Sequence, residues 1–368
     1  GPWAGQTLAD LGAEVIKIEN PQGGDDTRGW GPPFVTGADG ADLSAAYFHA
    51  CNRGKKSVAI DFSIPEGADA VRRLAASADV LIENFKAGGL KKYGLDWDSL
   101  RAINPRLVYC SITGFGQTGP YAAKAGYDYI IQGMSGLMSI TGEPEREPQK
   151  VGVAVADIFT ALYSVIAIQA ALMHARATGE GQHIDMALLD SQAAVLANQN
   201  LNFLISGASP NRMGNAHPNI APYEVVPVSD GHLILAVGND GQFRKLCAIL
   251  DMRHLADEER FATNRARVAN RAALRPLLES ETRRFSRADL LAACEAAHVP
   301  AGPINAIGDM FADPQVIARG LRLDLTDTAG TTIPSVRTPI VMSATPLAYM
   351  RPSPRLGEHT DEVLEGLE

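Results

Sequence analysis

Short runs of β-branched and other apolar residues alternate with an amphipathic helical pattern in the first half of this sequence. The runs cover residues 14–18, 57–61, 79–84 and 106–113, and the helical pattern at 66–78 lies between two of them. Such alternation is typical of βαβ units, because the return from one parallel strand to the next needs a crossover that is usually a helix. The first half therefore predicts a large α/β domain of the Rossmann-like, parallel-sheet type.

The second half has a different pattern. From about residue 211 onward, alternating apolar residues flank Ser229-Asp230-Gly231, a combination typical of a β-hairpin. Helical patterns follow at 241–250, 271–285 and 287–297. These elements predict a smaller α/β domain, and the strand-like patterns after it are expected to return to the sheet of the large domain.

The predicted large domain is thus built from N- and C-terminal parts, with the small domain inserted late. The sequence opens on a helical pattern with no strand before it, so we expect a first strand of the large domain to be missing. The predicted boundaries are 1–205 for the large domain, 206–222 for a linker, 223–300 for the small domain, 301–316 for a second linker and 317–368 for the C-terminal return.

Composition limits the classes of function. Among 368 residues, 46% are hydrophobic and 20% charged, which is typical of a soluble globular protein. The net charge of −9 argues against nucleic-acid and anionic-membrane partners. The four cysteines lie far apart without a CxxC pair, and we find no signal peptide. The apolar stretch 158–173 contains polar Thr160, Ser164 and Gln169, so we interpret it as a buried helix and expect a cytoplasmic protein.

Several common catalytic motifs are absent or incomplete. The segment "GFGQTG" at 114–119 has the spacing of a dinucleotide-binding loop, but Pro120 and Gly126 interrupt the helix that such a loop requires. No GxSxG motif occurs, and the eight histidines show no metal-ligand spacing. We therefore expect no metal, no nicotinamide cofactor and no serine-hydrolase site.

Asp157 is more informative, because it opens the apolar helical stretch. One interpretation is a helix N-cap, whose carboxylate accepts hydrogen bonds from free backbone amides and contributes about 1 kcal/mol. The other is a nucleophile. The helix dipole and amides would keep the carboxylate ionised, and small neighbours at 152, 154 and 156 leave room for a bulky electrophile. An ionised, accessible carboxylate can attack an acyl group and form a mixed anhydride.

A series of motifs occurs in order along almost the whole chain. The motifs are "LADLGAEVIKIE", "CNRGKKSVAIDF", "ADVLIENF", "GLDWDSLRAINPRLVYCSITGFGQTGP", "AGYD", "VGVAVADIFTALY", "GEGQHIDMALLD" and "LGEHTDEVL". Together they resemble the family III CoA-transferases, a family that includes formyl-CoA transferase, carnitine CoA-transferase and α-methylacyl-CoA racemase.

The resemblance places Asp157 where the family has its acyl-accepting aspartate. It implies a CoA-transferase that moves CoA from an acyl-CoA, of the succinyl or a related type, to a free carboxylic acid through an aspartyl anhydride and an aspartyl-CoA thioester. The racemases of the family carry histidine in an "AGHD" turn, where this chain has Tyr127. Tyrosine side chains ordinarily titrate at about pH 10, so tyrosine suits α-proton exchange poorly. The transferase branch is therefore favoured over a racemase and over an inactive CoA-binding protein.

The resemblance also implies a CoA site, with the CoA thioester as substrate and no permanently bound cofactor. Exposed lysines and an arginine are further candidates for phosphate or carboxylate contacts, although they can equally be solvated surface charges. The positions matched to the family are Asn84, Phe85, Lys92 and Ile60, and the additional candidates are Lys55, Lys56 and Arg28.

For the acceptor acid, the chain departs from formyl-CoA transferase. The tetraglycine loop of that enzyme is replaced by "MGNAHPNIAPY", in which His217 and Asn219 either shape a pocket for a larger dicarboxylate or only form a turn. Backbone amides near Gly136 are candidates for stabilising oxyanions. The family resemblance finally implies an interlocked homodimer, whose linkers thread around the partner.

Overall fold

The computed structural model describes residues 1–347 and 349–367, which form two compact units. The first unit contains residues 1–137, 150–206 and 313–368, and the second contains 138–149 and 207–312. Segment 138–149 therefore lies in the second unit, whereas the predicted boundaries placed it in the large domain.

The first unit has parallel sheets with helices around them. Its strands are β1 (Val15–Glu19), β2 (Phe34–Thr36), β3 (Asp42–Ala45), β4 (Lys55–Ala59), β5 (Val80–Glu83), β6 (Val108–Thr113), β7 (His183–Ala187), β11 (Arg322–Thr326) and β12 (Thr332–Val336). Its helices are α1 (Pro2–Asp10), α2 (Ala46–His49), α3 (Pro65–Ser77), α4 (Trp97–Ile103), α5 (Asp128–Met134), α7 (Val155–Thr178), α8 (Leu188–Ala194), α9 (Asn198–Ser206), α15 (Pro314–Ala318) and α16 (Thr360–Glu365). Helix α6 (Leu137–Ile140) crosses from the first unit into the second.

Two parallel sheets take the place of the single parallel sheet that the sequence predicted. Strand β1 pairs with β4, and β5, β6 and β7 form a separate sheet in that order. Within the described residues, β1 and β5 each have one unpaired edge, and every residue of both strands lines the same cavity of about 2800 Å³. The cavity therefore runs along the whole length of both strands, and it includes their carboxyl ends, the usual location of a ligand in open α/β folds.

Helix α7 is the central helix of the first unit. It packs against α1, α5, α8 and the strand β6. Small residues such as Ala156 and Ala161 permit this close packing, and Ile168 is fully buried. The helix ends at Gly179, whose φ of +82° is a left-handed conformation that glycine adopts without strain. Its length and composition would also allow it to cross a membrane, a property that a core helix shares.

The second unit contains a three-stranded antiparallel sheet with helices packed on it. A hairpin joins its first two strands at the predicted turn, and buried apolar residues such as Leu233, Phe243 and Leu290 form its core. The strands are β8 (Tyr223–Val228), β9 (Gly231–Ala236) and β10 (Ala301–Gly302), and the helices are α10 (Asp240–Ile249), α11 (Asn264–Ala269), α12 (Arg271–Thr282), α13 (Arg287–Ala296) and α14 (Ile307–Ala312).

The C-terminal part differs from its prediction in one respect. Strands β11 and β12 belong to the first unit, but they pair with each other as an antiparallel hairpin. They do not extend either parallel sheet within the described residues. The return of the chain is instead made by α16, which packs on β4: the Thr360 hydroxyl accepts a hydrogen bond from the backbone amide of Ala59 at 3.0 Å.

Candidate active site

Asp157 lies in the first turn of α7, and its side chain lines the large cavity. The side chain is accessible from the cavity, but the cavity walls around it bury it partly from bulk solvent. This burial raises the pKa of the Asp157 carboxyl, and the negative charge of Asp128 raises it further. In the described part of the chain the carboxylate oxygens of Asp157 accept no hydrogen bond. The carboxylate is thus available to a ligand.

Asp128, rather than Asp157, caps α7. The helix begins at Val155, and its N-cap residue Ala154 makes no side-chain hydrogen bond. The Oδ1 atom of Asp128 instead accepts hydrogen bonds from the backbone amides of Ala156 at 2.7 Å and Asp157 at 3.3 Å. The interpretation of Asp157 as an N-cap is therefore wrong. The expectation that these amides hold the Asp157 carboxylate in its ionised form is wrong for the same reason.

A close approach of two backbone segments brings Asp128 to α7. Gly114 follows β6 and Gly126 precedes Tyr127, and a Cβ atom on Gly114 would clash with the Cα of Gly126. Glycine is required where two backbones meet so closely. The glycine-rich segment at 114–119 therefore has a structural function here: it lets the "AGYD" segment pack against the end of β6, next to the start of α7.

Aromatic side chains surround this part of the cavity. Tyr127 is 68% exposed and lines it, and its contact with a substrate stays a prediction. Tyr47 also lines it, and burial together with the charges of Asp157 and Asp128 raises the pKa of its hydroxyl. The ring of Trp30 packs edge-on against Tyr47, with 5.1 Å between ring centroids. Sequence reasoning missed Tyr47 and Trp30, because neither belongs to a motif with a local signal.

A second group of cavity residues lies after the ends of β4 and β5. Phe85 is half exposed, and its ring centroid lies 5.7 Å from that of Phe62, which in turn lies 5.4 Å from that of Tyr93. The ammonium group of Lys92 lies 4.6 Å from the Tyr93 ring centroid. A partly exposed aromatic cluster beside a cation can bind a planar heterocycle and a phosphate.

The residues matched to the CoA site by resemblance all line this one cavity, namely Asn84, Phe85, Lys92 and Ile60. Ile60 is buried and contributes apolar wall, whereas Asn84 is exposed at the end of β5. The structure adds Phe62 and Tyr93 to the group. Phe62 ends the motif "CNRGKKSVAIDF" but was not assigned to the site from sequence, and Tyr93 lies in none of the quoted motifs.

The three additional cationic candidates make contacts within the protein. Lys55 is 2% exposed, and its Nζ donates to the backbone oxygens of Pro2 and Cys51 and to Oδ1 of Asn52 at 2.7–2.9 Å. Burial lowers the pKa of Lys55 to about 7. Its predicted role in phosphate binding therefore has no support in the structure.

Arg28 and Lys56 are paired with carboxylates. Arg28 binds Glu19 through two hydrogen bonds of 2.9 and 2.7 Å and stacks 3.7 Å above the centroid of the Phe48 ring. Lys56 lies between Glu14 and Glu362, at 2.7 and 2.9 Å. Neither side chain presents an unpaired cation to a phosphate.

The predicted acceptor pocket is divided between the units: Gly136 belongs to the first, and His217 and Asn219 to the second. His217 Nδ1 accepts a hydrogen bond from the Asn219 amide at 3.1 Å, and its ring packs on Tyr223. The His217–Asn219 segment is therefore an ordered turn, and its contact with a substrate stays a prediction. Within residues 1–347 and 349–367, no group of histidine, cysteine, aspartate and glutamate residues could hold a metal ion.

Comparison with known proteins decides the family. The family model described as CoA-transferase family III matches residues 1–360. The chain is a family III CoA-transferase. The succinate--glutarate CoA-transferase of Agrobacterium fabrum is 69% identical over 368 residues, covering 100% of this chain and 92% of that protein. The human succinyl-CoA:glutarate CoA-transferase is 41% identical over 366 residues, covering 99% of this chain and 82% of that protein.

A solved structure also resembles this CoA-transferase. The crystal structure of a CAIB/BAIF family protein from Brucella suis superposes with a TM-score of 0.88 at 62% identity, covering 100% of this chain and 95% of that one. The predicted mixed α/β fold with parallel sheets is thereby confirmed. The predicted family and enzyme class are confirmed by the family model and the curated relatives.

Proposed function

We propose that this CoA-transferase moves CoA from succinyl-CoA to a free dicarboxylate of the glutarate type, with Asp157 as the nucleophile. The observation that carries the proposal is the Asp157 carboxylate, which lines the cavity and is released from helix capping by Asp128. The substrate pair is supported by the names of the Agrobacterium, human and mouse relatives, which are 69%, 41% and 42% identical to this chain.

The reaction needs only carboxylates and thiolates as nucleophiles and leaving groups. The Asp157 carboxylate attacks the thioester carbonyl of succinyl-CoA, the C–S bond breaks, and CoA thiolate leaves a succinyl-aspartyl anhydride. The thiolate then attacks the aspartyl carbonyl, which releases succinate and forms an aspartyl-CoA thioester. Glutarate attacks this thioester, and the resulting glutaryl-aspartyl anhydride transfers its glutaryl group to the expelled thiolate. Covalent catalysis divides one difficult exchange into steps that each preserve an activated acyl group.

The cavity walls supply binding groups for such a substrate. The aromatic cluster of Phe62, Phe85 and Tyr93 suits the adenine ring, and Lys92 suits a phosphate of CoA. Tyr47 and Tyr127 line the cavity together with Asp157, so their hydroxyls are candidate donors to the oxygen that becomes negative at the acyl carbon.

A dicarboxylate also needs a partner for its second carboxylate. Lys150 lies seven residues before Asp157, is exposed and lines the same cavity. Its ammonium group lies 3.4 Å from the carbonyl oxygen of Val151 and 5.9 Å from the centroid of the Tyr129 ring. No carboxylate of the described residues lies within 4.0 Å of it. We assign it to the distal carboxylate of the acceptor.

The proposal includes a homodimer. Helices α7 and α9 expose large apolar side chains, among them Met173 at 72%, Leu204 at 72% and Ile205 at 82%. Large apolar side chains exposed in this number are more typical of an interface than of a monomer surface. A second copy of the chain would cover these helices, and it also accounts for the apolar character of α7 without a membrane.

The test is an acyl-exchange assay. The purified protein is mixed with succinyl-CoA and glutarate, and we expect glutaryl-CoA and succinate to form in equal amounts without net loss of thioester. If no dicarboxylate accepts CoA, and the protein instead exchanges the α-proton of a 2-methylacyl-CoA with deuterated water, the racemase function would replace the proposed one. CoA binding without either reaction would indicate an inactive binding protein.

A further inference from the structure

Gln132 lies on α5, and its side chain is completely buried, at 0% exposure. Its Nε2 atom donates to Asp128 Oδ2 at 2.7 Å and to the backbone oxygen of Val153 at 3.4 Å. Its Oε1 atom accepts from the backbone amide of Val151 at 2.8 Å. One side-chain amide therefore connects the capping carboxylate to the loop that leads into α7.

We propose that Gln132 is a positioning residue for the acyl-transfer step, acting through Asp128 and the 151–153 loop on the Asp157 carboxylate. This inference rests on the proposed function, in which Asp157 is the nucleophile. It assigns to a buried glutamine a task that neither its sequence context nor its position outside the cavity lining indicates.

The first step of the argument is the orientation of Asp128. Because Oδ2 accepts a hydrogen bond from the Gln132 amide, Oδ1 is held toward α7. There it accepts hydrogen bonds from the backbone amides of Ala156 and Asp157. A carboxylate with only one side fixed could rotate about its Cβ–Cγ bond, a torsion with a broad energy profile. Gln132 removes that freedom.

The second step is the position of the loop. The backbone amide of Val151 donates to Gln132 Oε1, and the backbone oxygen of Val153 accepts from Gln132 Nε2. The backbone amide of Val155 also donates to the oxygen of Val153, at 2.8 Å. The first turn of α7 therefore has two supports that meet at Gln132. Reacting groups must be held to within a fraction of an ångström, since a displacement of about 1 Å can lower a rate about 100-fold.

A matched control exists in the same unit. Gln6 is also buried, at 3% exposure, and both ends of its amide bond to backbone: Nε2 to the oxygen of Ala50 at 3.1 Å, and Oε1 to the amide of Arg53 at 3.0 Å. It makes no contact with Asp128. Gln132→Met and Gln6→Met each remove a buried amide with two or more hydrogen bonds, so both are expected to lower thermal stability.

The experiment measures single-turnover acylation with succinyl-CoA, as CoA release per folded protein, for the unsubstituted enzyme and the two methionine variants. We expect Gln132→Met to acylate about 10- to 100-fold more slowly, with an unchanged Kd for CoA, and Gln6→Met to acylate at the unsubstituted rate. Equal rates for all three, or equal slowing of both variants, would overturn the inference.

A second variant protects the test against misfolding of the first. When protonated, the carboxyl group introduced by Gln132→Glu can donate to Asp128 and accept from Val151, as the amide does. When ionised, it repels Asp128. The ratio of its acylation rate to that of the unsubstituted enzyme should therefore rise as pH falls, and a ratio independent of pH would contradict the positioning role. Absence of acylation in the unsubstituted enzyme would overturn the proposed function itself.

Discussion

Asp128 and Asp157 share the first turn of α7 but use it differently: Asp128 Oδ1 accepts the backbone amide of Asp157 at 3.3 Å, while the Asp157 carboxylate faces the cavity. A helix N-terminus stabilises one negative charge well. Here its amides bind the cap, and burial together with the negative charge of Asp128 raises the pKa of the second carboxylate. The arrangement favours a carboxylate that reacts with an electrophile over one that only stabilises the helix.

Stability measurements separate the roles of the two carboxylates. Asp128→Ala removes two hydrogen bonds to α7 and should lower the free energy of unfolding by about 1–2 kcal/mol, as loss of a cap does. Asp157→Asn removes none and should change it by less than about 0.5 kcal/mol. Urea unfolding of both variants checks this. A larger loss in Asp157→Asn than in Asp128→Ala would return the capping role to Asp157.

The raised pKa of Asp157 predicts a pH dependence of acylation. Burial and the Asp128 charge raise this pKa, and only the ionised carboxylate attacks the thioester. The single-turnover rate should therefore fall as pH decreases, starting above the pH of about 3.9 at which an ordinary aspartate titrates. Asp128→Asn removes one cause of the upward shift in the Asp157 pKa. The midpoint of the fall in acylation rate should therefore lie at a lower pH in this variant than in the unsubstituted enzyme. A midpoint that stays in place or moves upward would contradict this.

Neighbouring lysines test the CoA site. Lys92 lines the cavity beside Tyr93, whereas Lys91, which is also exposed, does not line it. Lys92→Met should raise the Kd for CoA by up to about fivefold, because an exposed ion pair contributes about 0–1 kcal/mol. Lys91→Met should leave it unchanged. Isothermal titration with CoA compares them, and equal effects would mean that only the overall charge matters.

Lys150 provides a test of acceptor selection. Lys150→Met should raise the KM for glutarate about fivefold through loss of one exposed charge pair. The KM for butyrate, which lacks a second carboxylate, should not change. Steady-state kinetics with succinyl-CoA and each acid measures both values. A parallel rise for the two acids would show that Lys150 supports the cavity in general and does not bind the distal carboxylate.

Local sequence patterns predicted several strands and the hairpin correctly, and they placed the start of α7 close to its observed position. Strands expected at 79–84 and 106–113 occur at Val80–Glu83 and Val108–Thr113, and the hairpin turns at Ser229-Asp230 as predicted. These features depend on β-branched runs and turn residues that lie next to one another in sequence. Asp157 lies in the first turn of α7 and lines the cavity, and its role as the nucleophile stays a prediction.

Local sequence patterns could not predict contacts between segments that lie far apart in the chain. Asp128 caps a helix 27 residues further along, which no capping motif at Val155 could indicate. Arg28 looked available because its partners are Glu19 and the backbone of Pro354, hundreds of residues away in the second case. Lys55 was likewise a candidate for phosphate binding. In the structure its side chain is buried, and its ammonium group donates three hydrogen bonds within the protein. Charge in a sequence does not reveal whether it is already paired.

The central claim is that Asp157 carries the acyl group, and trapping tests it most directly. The protein is incubated with succinyl-CoA, quenched with hydroxylamine and digested, and the peptides are analysed by mass spectrometry. We predict a hydroxamate on the side chain of Asp157, absent when succinyl-CoA is omitted and absent from Asp157→Asn. A hydroxamate on another residue, or rapid CoA transfer by Asp157→Asn, would contradict the account.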